Sequence, residues 1–260
     1  VLSKADRPML ILGQGALARS DGAVVFAQAL ALADKTGMIS DDWNGFNVLH
    51  TAAGRVGGMD VGFLPGEGGR DRNGIIEGCK SGDISTVILY GADEIDRDEL
   101  GGAFVIYIGS HGDRGAHGAD VILPAAAYTE KQAIFVNTEG RAQMSERAAF
   151  PPGDAREDWK IFRALSDHLG ATLEFDTVDG LRKAMFKLAP HLARFDELVP
   201  AGVPEKPVAD VTELDAAVFA SALTDYYFTN PIARASTTMA ACAEAKDERT
   251  KVIGGTGTDG

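Results

Sequence analysis

The chain has 260 residues, 45% of them hydrophobic, enough for a sizeable core in one large domain or two smaller ones. A formal net charge of -13 and a pI of about 4.8 exclude nucleic acid as a natural partner, because phosphate backbones would be repelled. No apolar run approaches the ~20 residues of a membrane span, so no direct membrane insertion is expected, and nothing at the start reads as a signal peptide.

The first half alternates strand and helix signals. Met9 to Gly13 is a short apolar run that stops at glycine. Gly22 to Lys35 follows as a helix, with Val24, Val25, Ala27, Leu30 and Ala31 at helical spacing. Asn47 to His50, Thr86 to Gly91, Phe104 to Gly109 and Asp120 to Pro124 are four further strands. These runs are continuous rather than alternating, which predicts strands buried on both faces, as in a parallel sheet covered by helices. Several end in Gly or Pro, at the edge where doubly wound folds build their sites. Gly54 to Gly74 is glycine-rich with little periodicity and reads as a long loop.

After Phe150-Pro151-Pro152 the pattern turns helical. Asp154 to Leu169 is expected as a helix with Trp159, Phe162, Leu165 and Leu169 on one face, and Thr177 to Phe195 as another, kinked or ended by Pro190. Val199 to Val208 reads as a Pro-rich linker and Leu214 to Leu223 as a short helix. Asn230-Pro231 is an N-cap with Pro at the first helical position, after which Ile232, Ala235, Met239 and Cys242 face one way. The tail from Gly254 to Gly260 is expected to fray. The fold class is α/β: a doubly wound, mostly parallel sheet flanked by helices, as a Rossmann-like domain over 1–150 and a mainly helical extension over 151–260 that packs on it.

The catalytic vocabulary is thin. There is no G-x-S-x-G elbow and no Walker loop. Gly13 and Gly15, in Gly13-Gln14-Gly15-Ala16-Leu17-Ala18, form half of a dinucleotide fingerprint whose third glycine is replaced by Ala18. A turn needed only for packing accounts for them better. His111, Asp113 and His117 are metal-ligating types, but lie in a Gly-rich turn with no third strong ligand beyond them. Two distant cysteines, Cys79 and Cys242, cannot hold an iron–sulfur cluster alone. Asn137-Thr138-Glu139-Gly140-Arg141 is the best site candidate: Arg141 and the Gly140 amide suit a phosphate. Equally, Glu130, Glu139 and Arg141 are placed to form ion pairs that fix the strand end.

Ala119 to Gln143, "ADVILPAAAYTEKQAIFVNTEGRAQ", resembles the molybdopterin oxidoreductase superfamily, as does "REDWKIFRALSDHLG" from Arg156 to Gly170. The opening from Pro8 to Arg19 and "DYYFTNPIARASTTMAACAEA" from Asp225 to Ala245 narrow this to a resemblance with the C-terminal region of the 75 kDa, or G, subunit family of NADH:quinone oxidoreductase, respiratory complex I. The resemblance implies a piece of a longer subunit, in keeping with a chain that opens on Val1. It implies a structural and assembly domain that supports electron transfer from NADH to quinone and is non-catalytic alone. Iron–sulfur clusters would be carried upstream, and no cofactor or metal by this chain. Gly13, Gly15, Asn137, Glu139, Gly140 and Arg141 would then be vestiges of a cofactor site. Partners would be other subunits of the peripheral arm, on the cytoplasmic side of a bacterial inner membrane or the matrix side of a mitochondrial one. The competing readings are a domain of a formate-dehydrogenase-like molybdopterin oxidoreductase and a nucleotide-binding module using Gly13 and Gly15.

Overall fold

The apolar runs form strands, and the sheets they build in the first half are parallel. The computed structural model describes residues 2–112, 114–199, 213–221, 223 and 225–252, with side chains to 247. The described residues fall into two units, within 1–64, 134–145 and 182–222, and within 65–133, 146–181 and 223–260. Both units draw on chain from either side of residue 150.

In the first unit β1 (Leu10–Gly13) leads through the single turn α1 (Gln14–Leu17) into α2 (Gly22–Lys35). A two-residue hairpin, β2 (Ile39–Ser40) and β3 (Trp43–Asn44), returns the chain to β4 (Phe46–Leu49), which pairs in parallel with β1. Alanine-rich α2 is a good helix former, and it ends at Gly37, whose φ of 66° reverses the chain. It buries Leu30 and Ala33 with Met38 and Phe46, against Leu10, Phe26 and Val48. The Gly54–Gly74 stretch is not one loop: α3 (Arg55–Asp60) forms inside it, and α4 begins at Arg72. Gly57 explains part of the miss. A Cβ there would lie 3.3 Å from Val136 Cγ2, so glycine serves close packing inside a helix rather than chain freedom. Val136 belongs to β8 (Ala133–Val136), which pairs with β9 (Ala142–Ser145). This pair buries Val136 and Ala142 with Ala189 and Leu192, against Val56, Met185 and Phe186.

In the second unit α4 (Arg72–Ser81) starts at an Asp71 N-cap, which accepts from the Gly74 amide at 2.8 Å, and stops at Gly82 with φ 85°. β5 (Thr86–Tyr90), β6 (Phe104–Gly109) and β7 (Val121–Pro124) form a parallel sheet in that order. A 3-10 turn, Arg97–Leu100, is closed by an Asp96–Glu99 capping box, and α5 (Arg114–His117) is a single turn. One sheet face buries Val87, Leu89, Val105 and Tyr107 against Cys79 and Leu100. The other face is only partly covered: Ile88, Phe104 and Val121 remain 39%, 46% and 38% exposed, so burial on both faces does not hold. Helix α6 (Asp158–His168) meets this sheet at the end of β5, where Phe162 stacks edge-on against Tyr90 at 5.1 Å.

The helical second half departs from expectation at its ends. α6 starts four residues late because Arg156 bridges in parallel to Ala125 and exchanges backbone bonds with Pro124 and Ala126, which keeps that stretch extended. Leu169, expected on its apolar face, is 70% exposed. α7 (Val178–Leu188) ends before Pro190, and a 3-10 turn follows over Pro190–Ala193. Leu214 to Ser221 is not helical; its backbone groups bond to side chains instead. Asn230 caps α8 (Pro231–Arg234) as expected, by accepting from the Ala233 amide. The helix does not run on: Ser236 Oγ accepts from the Met239 amide and starts α9 (Thr237–Val252) afresh. The expected linker beyond Val199 and the Gly254–Gly260 tail lie outside the described residues. No helix among those residues is long and apolar enough to cross a membrane.

Candidate functional site

Ligands of doubly wound folds bind beyond the C-terminal ends of the parallel strands. In the first unit Gly13 pairs with Leu49, so Gln14 and His50 leave the sheet as neighbours. Gly13 has an ordinary φ of -76°, and a Cβ on it would meet nothing within 4 Å. Neither strain nor crowding therefore requires glycine there. Gly15 sits inside α1. Gln14 Oε1 and His50 Nδ1 are buried without a hydrogen-bond partner among the described residues. Burial and the Arg55 charge hold the His50 imidazole below its usual range, which keeps it neutral near neutral pH. The approach to α2 is closed by α1: a Cβ on Gly22 would fall 2.0 Å from the Leu17 carbonyl oxygen.

Beside that turn Arg19 donates to both carboxylate oxygens of Asp21, at 2.8 and 3.1 Å. It also donates to the carbonyls of Asp215 (3.0 Å), Ala217 (2.8 Å) and Val218 (3.3 Å). The Asp215 amide returns a bond to Asp21 at 2.8 Å. Bonds from Arg19 and the Asp215 amide hold the Asp21 carboxyl down at about 2.

Asn137 to Arg141 is the turn between β8 and β9. The Asn137 side-chain oxygen accepts from the amides of Glu139 and Arg141, both at 3.0 Å, and the Gly140 amide donates to the Asn137 carbonyl. Gly140 has φ 81°, a left-handed position that glycine fills without strain. Arg141 donates to the Asp196 carbonyl and sits 3.5 Å from Glu139. Glu130 instead accepts from the Ala127 amide. The Glu139, Gly140 and Arg141 amides are thus engaged within the turn and the Arg141 side chain by Glu139 and the Asp196 carbonyl, and no hydrogen bond or ion pair joins this stretch to Gly13 or Gly15 among the described residues.

The strand ends of the second unit hold residues that sequence reading passed over. Asp93, just past β5, is fully buried and paired with Arg234 of α8. The Tyr107 ring stands at the end of β6 with glycines around it. A Cβ on Gly109, Gly112 or Gly115 would fall within 2.9 Å of the ring. The Gly-rich turn that carries His111 and His117 is thereby explained as a wrap around an aromatic, and the His111 carbonyl accepts from the Tyr107 hydroxyl. Asp113 lies outside the described residues, among which no group of three His, Cys, Asp or Glu is placed for a metal. Tyr90, at the end of β5, donates to Asp158 Oδ2 at 2.8 Å, and Lys131 pairs with the same oxygen. Burial, then the Asp158 charge, pushes the Tyr90 phenol well above its ordinary range, so it serves as a neutral donor. Nothing in the sequence paired Asp93 with Arg234, or Tyr90 and Lys131 with Asp158, residues 27 to 141 positions apart.

Three mitochondrial proteins are similar to this chain over nearly its whole length. The NADH dehydrogenase [ubiquinone] iron-sulfur protein 1 of Solanum tuberosum is 40% identical over 93% of the chain and 32% of its own length. The NADH-ubiquinone oxidoreductase 78 kDa subunits of Neurospora crassa and Candida albicans are 38% and 40% identical, over 97% and 96% of the chain and 34% and 35% of theirs. The chain thus spans about a third of the length of these relatives. Residues 200–242 match the family model for the C-terminal part of the NADH-ubiquinone oxidoreductase G subunit. Residues 1–168, which include both parallel sheets and the β8–β9 turn, match the molybdopterin oxidoreductase model, and the chain belongs to that family.

Proposed function

We propose that this chain is a scaffold domain of the large iron–sulfur subunit of an NADH:ubiquinone oxidoreductase, and that its inherited cofactor site is vestigial. The observation that carries the reading is how the strand-end groups are spent. Asn137 and Glu139 bond within their own turn, Arg141 bonds to Glu139 and the Asp196 carbonyl, and Tyr107 and the Asp93–Arg234 pair occupy the strand ends of the second unit. A pterin with its phosphates needs free donors, and the amides of Glu139, Gly140 and Arg141 are already given to Asn137, which speaks against a fit at this turn. Iron–sulfur clusters would be held by cysteines outside this chain, since Cys79 is buried and Cys242 lies far from it in sequence. Its partners would be other subunits of the complex, with the chain peripheral to the membrane, on the matrix side in a mitochondrion or the cytoplasmic side in a bacterium.

The alternative is a domain of a formate-dehydrogenase-like molybdopterin oxidoreductase. The unsatisfied Gln14 Oε1 and His50 Nδ1, on the residues that follow the paired strand ends of the first unit, favour it. Both readings meet in one measurement: molybdenum, tungsten and iron analysis with oxidised-pterin fluorescence, on folded protein from a pterin-producing host. The scaffold reading expects none of them bound. Stoichiometric metal and pterin would overturn it.

A further inference from the structure

We propose that Asp215–Phe219 and Asn230–Arg234 are the two anchors of an internal strap that the chain fastens onto its own strand-end turns. The first anchor is in the first unit. Arg19 spends its guanidinium on the carbonyls of Asp215, Ala217 and Val218 and on Asp21, while its carbon face lies 4.7 Å from the Phe219 ring centre. Asp21 closes the loop by accepting from the Asp215 amide, and the Asp215 side chain accepts from the Ala217 amide. The bonds from Arg19 and Asp21 join residues 194 to 199 positions apart, so they are tertiary fastenings and not local turns. They also account for the missing helix over Leu214–Ser221, because the carbonyls a helix would use are taken by Arg19.

The second anchor is in the second unit. Asn230 and Pro231 fix the start of α8, and this single turn delivers Arg234 onto buried Asp93. Arg234 also donates to the Phe228 carbonyl at 3.3 Å, which ties the guanidinium to the strap itself. In each unit, then, a charged group next to a strand-end turn is satisfied by this stretch. The fastening goes beyond the scaffold reading, because it would hold equally in a chain that carried a cofactor elsewhere. Both anchors lie inside the 200–242 stretch matched by the G subunit's C-terminal family model, and the fastening gives those anchor residues a physical task within this chain.

The test is hydrogen exchange on the full 260-residue chain, read at the Asp215 and Ala217 amides for the first anchor and at Ala233 for the second. Arg19→Ala is expected to speed exchange at Asp215 and Ala217 by about tenfold or more and leave Ala233 unchanged, since local opening follows loss of local bonds. Arg19→Lys keeps the charge without the fork and should fall between the two. Arg234→Ala should speed Ala233 alone. If the uncompensated buried charge on Asp93 prevents that variant from folding, the neutral pair Asp93→Asn with Arg234→Gln reads the same anchor. Free-peptide exchange at Asp215 and Ala217 in the unaltered chain, or exchange unmoved by Arg19→Ala, overturns the strap.

Discussion

The wrap around Tyr107 makes a quantitative prediction. Gly115→Ala adds a methyl 2.8 Å from Tyr107 Cε2 and 2.9 Å from Asp93 Cβ. Neither neighbour has room to retreat, since both are 1% exposed. Overpacking of this kind costs about 1–3 kcal/mol. The gain from Ala over Gly in a helix is ~1 kcal/mol at most, and α5 is only one turn long. The net loss should be about 1–2 kcal/mol, which lowers Tm by roughly 2–8 °C in a chain of this size. Gly58→Ala is the matched control: it is also helical, but its methyl meets nothing within 4 Å. That variant should gain about 0.5–1 kcal/mol. Differential scanning calorimetry separates the two. Tyr107→Leu in the Gly115→Ala background should recover about 0.5–2 kcal/mol as a coupling energy, because the blocking ring is gone. A neutral or stabilising Gly115→Ala would refute the wrap, and the glycines would then need another explanation.

Three further outcomes are expected. Lys131→Met leaves the Asp158 carboxylate buried with only the Tyr90 hydroxyl; breaking such a pair costs about 3–5 kcal/mol when dry, and with Lys131 22% exposed the loss should be nearer ~2 kcal/mol in urea unfolding. Adding Asp158→Asn should restore part of it. Gly140→Ala should cost about 1–2 kcal/mol and Gly140→Asn less, because φ 81° is strained for most side chains and best tolerated by Asn; equal losses in chemical denaturation would argue against the turn. Asp21 has a folded pKa of about 2 against an ordinary 3.8, so its contribution is present above pH ~4 and lost as pH falls towards 2. Arg19→Ala should move the Asp21 carboxyl resonance midpoint back towards 3.8, and an unmoved midpoint would mean that Arg19 is not its main partner.

The fold was legible where apolar period and punctuation agree. All five strands of the parallel sheets, α2 and the Asn230–Pro231 helix start follow from short apolar runs, alanine-rich spacing and a capping pair. What failed was decided by long-range partners. Gly57 and Gly58 read as loop, yet Gly57 is a contact surface for Val136. A short helix was expected over Leu214 to Leu223, and over Leu214 to Ser221 Arg19 overrides it by taking carbonyls. The apolar strands gave no warning that Ile88 and Phe104 would stay exposed, since hydrophobicity records the burial a strand seeks and not which chain supplies it. Of the two readings of Asn137–Arg141, the ion pair of Glu139 with Arg141 is present while Glu130 turns to the Ala127 amide, and the bonds from the Glu139 and Arg141 amides to the Asn137 side chain had no sequence signature.

The strand ends of the second unit show why residue types alone do not make an active site. Tyr90, Lys131 and Asp158 are together a set from which proton-transfer sites are built. Here each is disarmed by its neighbours. The Tyr90 phenol is held protonated by burial and the Asp158 charge, and so cannot act as a base near neutral pH. The Lys131 ammonium is spent on Asp158, and the Asp158 carboxylate accepts both on one oxygen. Asp93 is neutralised by Arg234 in the same way. A general acid or base needs a free face towards a substrate; pairing takes the Tyr90 hydroxyl, the Lys131 ammonium and Asp158 Oδ2, and Asp158 Oδ1 is buried. The same pairing ties α6 and α8 to the strand ends of this sheet, so here these residue types serve packing and position.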